Sequence, residues 1–212
     1  MLSLLAILAA AGPAAASFAG EATFYGGNTQ GGMCSFSTYD LPEGIYGTAL
    51  SDSNWDGSEA CGGCVEVTGP NGNKIVTDQC PGCGTNHLDL YPDAFSQLAD
   101  PSKGIIDVTW DYVDCPISSP LQVHMKSGVS AYYFSAQIIN ANKRVAELEY
   151  STDGGSTWKG GLNREPYNFF LLSSGTGTDT VAIRAESVDG DRVVVQDVQV
   201  TSDNLVIAQA NF

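Results

Sequence analysis

The sequence predicts an all-β protein made of two successive β-domains. Three observations carry this. The 212-residue chain has 24 Gly and 9 Pro, which favours turns over long helices. Short runs rich in β-branched and aromatic residues recur along it, with turn-forming pairs between them. Only 92–99 has a helical pattern, with Pro92 in a first turn and Ala94, Phe95, Leu98 and Ala99 on one face.

In chain order, residues 1–16 come first. They carry no charged side chain, and the apolar run 2–11 is too short to cross a bilayer. Small residues at Ala14, Ala16, Ser17 and Ala19 suit cleavage after 16 or after 19, so a secretory signal peptide is expected and the mature protein is expected outside the cell. No later stretch reaches transmembrane length, and no Asn lies in an N-x-Ser/Thr sequon.

Strands are expected at 22–25, 64–68, 74–78 and 105–113, with Leu88-Asp89-Leu90 as a further strand-like run. Asn71-Gly72 in Gly69-Pro70-Asn71-Gly72 suits a tight hairpin turn. The segment 114–120 holds Pro116 and Pro120 and reads as a short, extended linker, dividing the mature chain into 17–117 and 118–212. Beyond it, strands are expected at 121–125, 134–139, 145–150, 167–172, 180–186 and 192–200, with a turn at Asp189-Gly190. That spacing suits a β-sandwich. Ser151-Thr152-Asp153-Gly154-Gly155-Ser156-Thr157-Trp158 fits the Asp-box pattern S-x-D-x-G-x-T-W, a hairpin motif in which Asp holds turn amides and Trp packs beneath.

Charge narrows the functions. With 24 Asp plus Glu against 9 Lys plus Arg the formal net charge is −15, which argues against binding nucleic acid. Hydrophobic residues at 43% and charged residues at 16% are a composition that folds. The six cysteines, 34, 61, 64, 80, 83 and 115, all lie in the first half. Cys61-x2-Cys64 and Cys80-x2-Cys83 have a spacing that suits tetrahedral zinc, but an even number in an exported chain favours disulfides, so no metal is expected.

The two histidines, His87 and His124, lie in different halves and no G-x-S-x-G elbow exists, so a hydrolytic triad has little support. The candidates in the first half are carboxylates. Asp78 follows Ile75-Val76-Thr77, where it either serves a site or caps a turn. Asp89 sits between Leu88 and Leu90, and strand alternation points it away from those apolar neighbours, toward a groove. In the second half, Tyr132-Tyr133 and the cluster from Tyr167 to Phe170 offer rings that stack on sugar faces or, alternatively, fill a core.

Together Thr23-Phe24-Tyr25-Gly26, Ala60-Cys61-Gly62-Gly63-Cys64-Val65-Glu66-Val67, Val76-Thr77-Asp78-Gln79-Cys80-Pro81, Leu88-Asp89-Leu90 with Ala94-Phe95, and Ile106-Asp107-Val108-Thr109-Trp110 resemble an expansin of the microbial expansin-like group, over nearly all of the mature chain. The resemblance implies a six-stranded double-psi β-barrel followed by an immunoglobulin-like β-sandwich that acts as a family 63 carbohydrate-binding module. It implies a monomer without cofactor or membrane partner that loosens cellulose–hemicellulose contacts without cutting them. Its partners would be cellulose, xyloglucan or xylan, or mixed-linkage β-glucan. By position, Thr23, Asp78 and Asp89 would line the barrel groove, with Asp89 the critical carboxylate. Tyr25 would join them in binding polysaccharide, Tyr132, Tyr133 and Tyr167 would form a flat aromatic platform, and Lys126 would flank it. Analogy with plant members suggests the pairs Cys34–Cys61, Cys64–Cys115 and Cys80–Cys83, although six cysteines allow fifteen connectivities.

The sequence departs from the bacterial pattern. Tyr132 and Tyr133 stand where bacterial members carry two tryptophans, Cys80 replaces a tyrosine, and the chain is acidic rather than basic. Two enzymatic alternatives share the barrel. A family 45 β-1,4-glucanase needs a base in the first strand, where Glu21-Ala22-Thr23-Phe24-Tyr25 offers Thr23 and no Asp, which would forfeit a general-base contribution of roughly 10²–10⁴-fold. A lytic transglycosylase could act through Asp89 alone. An inert barrel joined to a binding module is the remaining reading.

Overall fold

The structure, a computed structural model, describes residues 17–27, 29–67 and 73–212, with the backbone alone for 73–77. The expected leader 1–16 and the turn at Gly69-Pro70-Asn71-Gly72 lie outside the described residues. Six strands are β1 (Phe18–Phe24), β2 (Tyr46–Ser51), β3 (Cys64–Val67), β4 (Asn73–Cys80), β5 (Leu88–Leu90) and β6 (Ile106–Val113). They close into a barrel in the order β1-β5-β2-β4-β3-β6, with β1 parallel to β5, β2 parallel to β4, and the other pairs antiparallel. Closure leaves no barrel edge exposed. Leu50, Val65, Leu88, Leu90 and Trp110 fill the interior, and the seven-residue helix α1 (Pro92–Leu98) covers the barrel with buried Ala94 and Phe95.

The strand reading of the sequence misses β2. Tyr46-Gly47-Thr48-Ala49-Leu50-Ser51 lies between two strands and is buried almost throughout, so it shows no alternation of polar and apolar residues. Gly47 is required there, because a Cβ would meet the Tyr91 ring at 2.3 Å.

The second half forms two sheets. One has the order β10-β11-β8-β7-β14, from β7 (Gln122–Met125), β8 (Phe134–Ile139), β10 (Asn163–Arg164), β11 (Phe170–Leu172) and β14 (Leu205–Ile207). The other has the order β13-β12-β9, from β9 (Val145–Ser151), β12 (Thr180–Ser187) and β13 (Arg192–Gln199). Between them lies a core that includes Leu121, Val123, Met125, Phe134, Ile183 and Val198. The strand expected at 167–172 begins only at Phe170, because Asn168 takes a φ of 63° that breaks the extended run. In the Asp-box hairpin, the Asp153 carboxylate accepts from the Ser151 hydroxyl and from the amide and hydroxyl of Thr157. These bonds hold it well below the usual carboxylate range. Trp158 lies under the Arg184 guanidinium, 4.4 Å from the ring centroid.

The cysteines pair as Cys34–Cys61, Cys64–Cys115 and Cys80–Cys83. The four thiols that would suit zinc are thereby distributed over three disulfides. One of these bonds, Cys34–Cys61, serves the seam between the halves. Cys34 and Cys61 belong to the barrel loops that meet the five-stranded sheet. The Cys34 carbonyl accepts from Gln137 Nε2 at 2.7 Å and from Asn168 Nδ2 at 3.4 Å. The seam is completed by Tyr39 OH donating to Asn140 Oδ1 at 2.8 Å, Ser58 Oγ donating to the Glu165 carbonyl at 2.8 Å, and Arg144 stacked 4.1 Å from the centre of the Tyr112 ring. Ile139 of β8 inserts into the barrel's own core.

Replacing Cys34 and Cys61 by Ser removes a link closing 27 residues of chain, and urea unfolding should show a loss of about 3–4 kcal/mol on the loop-entropy scale. Limited proteolysis should then cut first in the loops that carry Cys34 and Cys61. Cleavage unchanged from wild type would show that the bond does not hold these loops.

Candidate functional site

The barrel register assembles a site from distant parts of the sequence. Thr23 on β1 lies opposite Asp89 on β5, Asp89 opposite Ala49 on β2, and Ala49 opposite Asp78 on β4. The four residues form one row across four neighbouring strands. Side chains alternate along each strand, so Leu88 and Leu90 are fully buried while Asp89 between them is partly exposed. A bulge in the β2–β4 pairing, between Thr48 and Ala49, brings Asp78 into the row. Ala49 contributes only a methyl group, so Asp89 and Asp78 sit two strand spacings apart, about 10 Å between Cα atoms.

The two carboxylates have different surroundings. Asp78 is held by three donors: Oδ1 accepts from the amides of Met33 at 2.7 Å and Gln79 at 2.8 Å, and Oδ2 accepts from Tyr25 OH at 3.1 Å. Asp89 accepts one hydrogen bond, to Oδ1 from the Thr23 hydroxyl at 2.6 Å, and its Oδ2 has no protein donor among the described residues. The Thr23 hydroxyl is also 2.8 Å from Nε2 of His87. Asp78 thus ties Tyr25 and the loop through Met33 into place, and Asp89 keeps acceptor capacity for a ligand. Burial raises the Tyr25 phenol well above its ordinary pKa, and the adjacent Asp78 raises it further.

Tyr132, Tyr133 and Tyr167 lie in the segments that lead into β8 and β11 of the five-stranded sheet. Ala131 and Tyr132 form a tight turn closed by paired backbone hydrogen bonds between Ser130 and Tyr133, which leaves the Tyr132 ring 81% exposed. Tyr133 is half-buried against the sandwich core, and Tyr167 is half-buried with its ring 6.1 Å from Phe169. The Tyr167 phenol is raised by burial, with Glu165 and Tyr133 adding to the effect. Gly175, at φ 69°, packs so closely under the Tyr132 turn that a Cβ would meet the Ala131 carbonyl at 2.2 Å. Lys126 follows β7 and is half-exposed, with no ion pair among the described residues.

Thr23, Tyr25, Asp78 and Asp89 therefore gather in one place, and Tyr133 and Tyr167 lie near each other. One short loop joins the two groups. Met33 donates its amide to Asp78, and the next residue, Cys34, offers its carbonyl to Asn168, the neighbour of Tyr167. The sequence pattern suggests no part for His87, although its position two residues before Asp89 places both on one face of an extended run. The Met33 amide that holds Asp78 comes from the backbone, which no residue pattern displays.

Comparison with known proteins finds expansins. The chain is 31% identical over 177 residues to Expansin-YoaJ of Bacillus subtilis, covering 81% of this chain and 74% of that protein. It is 28% identical over 203 residues to Expansin-like protein 5 of Dictyostelium discoideum, covering 91% and 84%. The crystal structure of the apo expansin of Clavibacter michiganensis superimposes with a TM-score of 0.81 at 29% identity, over 92% of this chain and 98% of that one. An Asp-to-Asn variant of the same expansin, solved in complex with cellohexaose, superimposes equally well. No protein-family model matches the chain. The chain belongs to the expansin family.

Tyr25, Tyr39 and Tyr112 all have phenols raised by burial, so stability should hold below the ordinary tyrosine pKa near 10 and fall as pH rises above it. An absorbance titration should show tyrosine ionising in two stages, and Tyr25→Phe should remove amplitude from the late stage. Loss from the early stage would contradict the enclosure of Tyr25 by Asp78.

Proposed function

We propose that this chain is a secreted expansin-like protein that binds cellulose and related β-glucans and loosens wall material without hydrolysis. In this reading the first half is the double-psi barrel of the family and the second an immunoglobulin-like binding module. The groove residues are Thr23, Tyr25, Asp78 and Asp89, and the platform is formed by Tyr132, Tyr133 and Tyr167 with Lys126 beside it. The observation that carries the proposal is the unequal pair of carboxylates. Asp89 keeps a free acceptor oxygen beside a Thr hydroxyl, suited to hydrogen-bonding a sugar hydroxyl, while Asp78 already accepts three hydrogen bonds, from Tyr25, Met33 and Gln79. The cellohexaose complex of the Clavibacter expansin variant supports a glucan as the ligand class.

The mechanism follows from competition. Tyrosine rings stack on the apolar faces of glucosyl units, holding one chain on the protein. Asp89 then offers a charge-assisted acceptor to a hydroxyl that otherwise bonds a neighbouring chain. No covalent bond changes. A weakened inter-chain contact yields under tension, and the wall creeps. The net charge of −15 favours neutral glucans over acidic pectins as the bound chain.

An inverting glucanase is the second reading, and one observation favours it: two carboxylates two strands apart approach the roughly 6.5–9.5 Å that an inverting pair requires. Against it, a general base must hold a water, and Asp78 already accepts three protein hydrogen bonds. Wild type should therefore extend plant-wall strips under constant load without releasing reducing ends from amorphous cellulose. Asp89→Ala should abolish creep, and Tyr133→Ala should weaken cellulose binding about tenfold or less, as fits one stacked ring. Reducing ends that vanish in Asp89→Asn would establish the glucanase instead.

A further inference from the structure

We propose that His87 is a positioning residue for Asp89, acting through the hydroxyl of Thr23. The inference rests on the reading of Asp89 as the glucan acceptor, and hydrogen-bond direction carries it. A threonine hydroxyl has one proton. At 2.6 Å that proton goes to Asp89 Oδ1, because a carboxylate oxygen only accepts. The contact between Thr23 Oγ1 and His87 Nε2 at 2.8 Å then has a single workable polarity, in which Nε2–H donates and Thr23 Oγ1 accepts. The chain runs one way, from the imidazole N–H to the hydroxyl to the carboxylate. Thr23 thus has no proton left for a sugar. Its part in the groove is to hold Asp89 Oδ1, so that Oδ2 is the oxygen presented to ligand.

The surroundings of His87 keep the imidazole where this chain needs it. His87 is buried, its amide donates to the Gly84 carbonyl at 3.2 Å, and its carbonyl accepts from the Ser51 amide at 3.1 Å. The preceding residue, Asn86, takes a φ of 55° and has each polar group engaged. Its amide donates to Ser53 Oγ, its Nδ2 donates to the Ala19 carbonyl, its Oδ1 accepts from Asn54 Nδ2, and its carbonyl accepts from Trp110 Nε1. A turn fixed on all sides delivers His87 to Thr23. Cooperative hydrogen bonding in such a chain strengthens the last link, the one that restrains Asp89.

The test is calorimetric titration of the full chain with cellohexaose, with heteronuclear NMR of the His87 ring. His87→Leu, at unchanged near-UV circular dichroism, should weaken binding about three- to tenfold, the range expected for one lost hydrogen bond. His87→Gln, whose amide nitrogen can replace Nε2–H, should stay within about twofold of wild type. In a Thr23→Val background His87→Leu should cause no further loss, since the link it acts through is gone. The ring nitrogens should show Nε2 protonated. Equal affinity of His87→Leu and wild type, while Asp89→Asn binds weakly, would overturn the proposal, as would additive losses with Thr23→Val or a neutral ring protonated at Nδ1. If Asp89→Asn itself binds as tightly as wild type, the reading of Asp89 as the glucan acceptor fails, and this role of His87 fails with it.

Discussion

The carbonyl of Cys34 is the point on which the arrangement of the site depends. It accepts from Gln137 of the five-stranded sheet and from Asn168 of the turn between β10 and β11, so the barrel loop and the second half share one buried acceptor. The residue before it donates an amide to Asp78, and Asn168 is the neighbour of Tyr167. Two hydrogen bonds, Met33 to Asp78 and Asn168 to Cys34, thus link Asp78 to the neighbour of Tyr167. The disulfide to Cys61 holds that loop against the barrel, and Ile139 and the stacked pair Arg144–Tyr112 widen the contact. Each hydrogen bond contributes only about 0.5–1.5 kcal/mol net, but leaving a buried carbonyl unpaired costs more, so the seam strongly favours a single arrangement.

Within the groove, the same register that aligns Thr23, Asp89, Ala49 and Asp78 gives the two carboxylates different tasks. Asp78 accepts from Tyr25 and from the loop through Met33, so it ties both to the barrel. Asp89 keeps an oxygen free because the residue beside it on β2 is alanine, which brings no donor. On the proposed function rigid placement matters, because the hydrogen bonds offered to a glucan must compete with those already present between glucan chains.

Much of this was legible in the sequence. The Leu88-Asp89-Leu90 alternation, the helix from Pro92 and five of the six barrel strands follow from local pattern. What local pattern omits is whatever neighbouring strands decide. β2 was not visible because a strand buried on both faces has no alternation, and Gly47 reads as a strand breaker until the Tyr91 ring is placed against it. The pattern at 167–172 suggests a longer strand than forms, because Asn168 turns the backbone, a tertiary choice that also delivers its side chain to Cys34. A lone histidine suggests no triad, so His87 draws no notice in the sequence, although its spacing from Asp89 places the two on one face. Family resemblance supplied the candidate residues, and the structure supplies the asymmetry among them.

The central claim is that one glucan chain engages a groove and a platform held in fixed relation, with Asp89 as the free acceptor. A crystal structure of this protein with cellohexaose tests it most directly. The account predicts a sugar hydroxyl donating to Asp89 Oδ2, Asp78 still bonded to Tyr25, Met33 and Gln79, and a tyrosine among 132, 133 and 167 stacked on the same oligosaccharide. A cellohexaose that displaces the donors of Asp78 and leaves Asp89 bonded to Thr23 alone would contradict it.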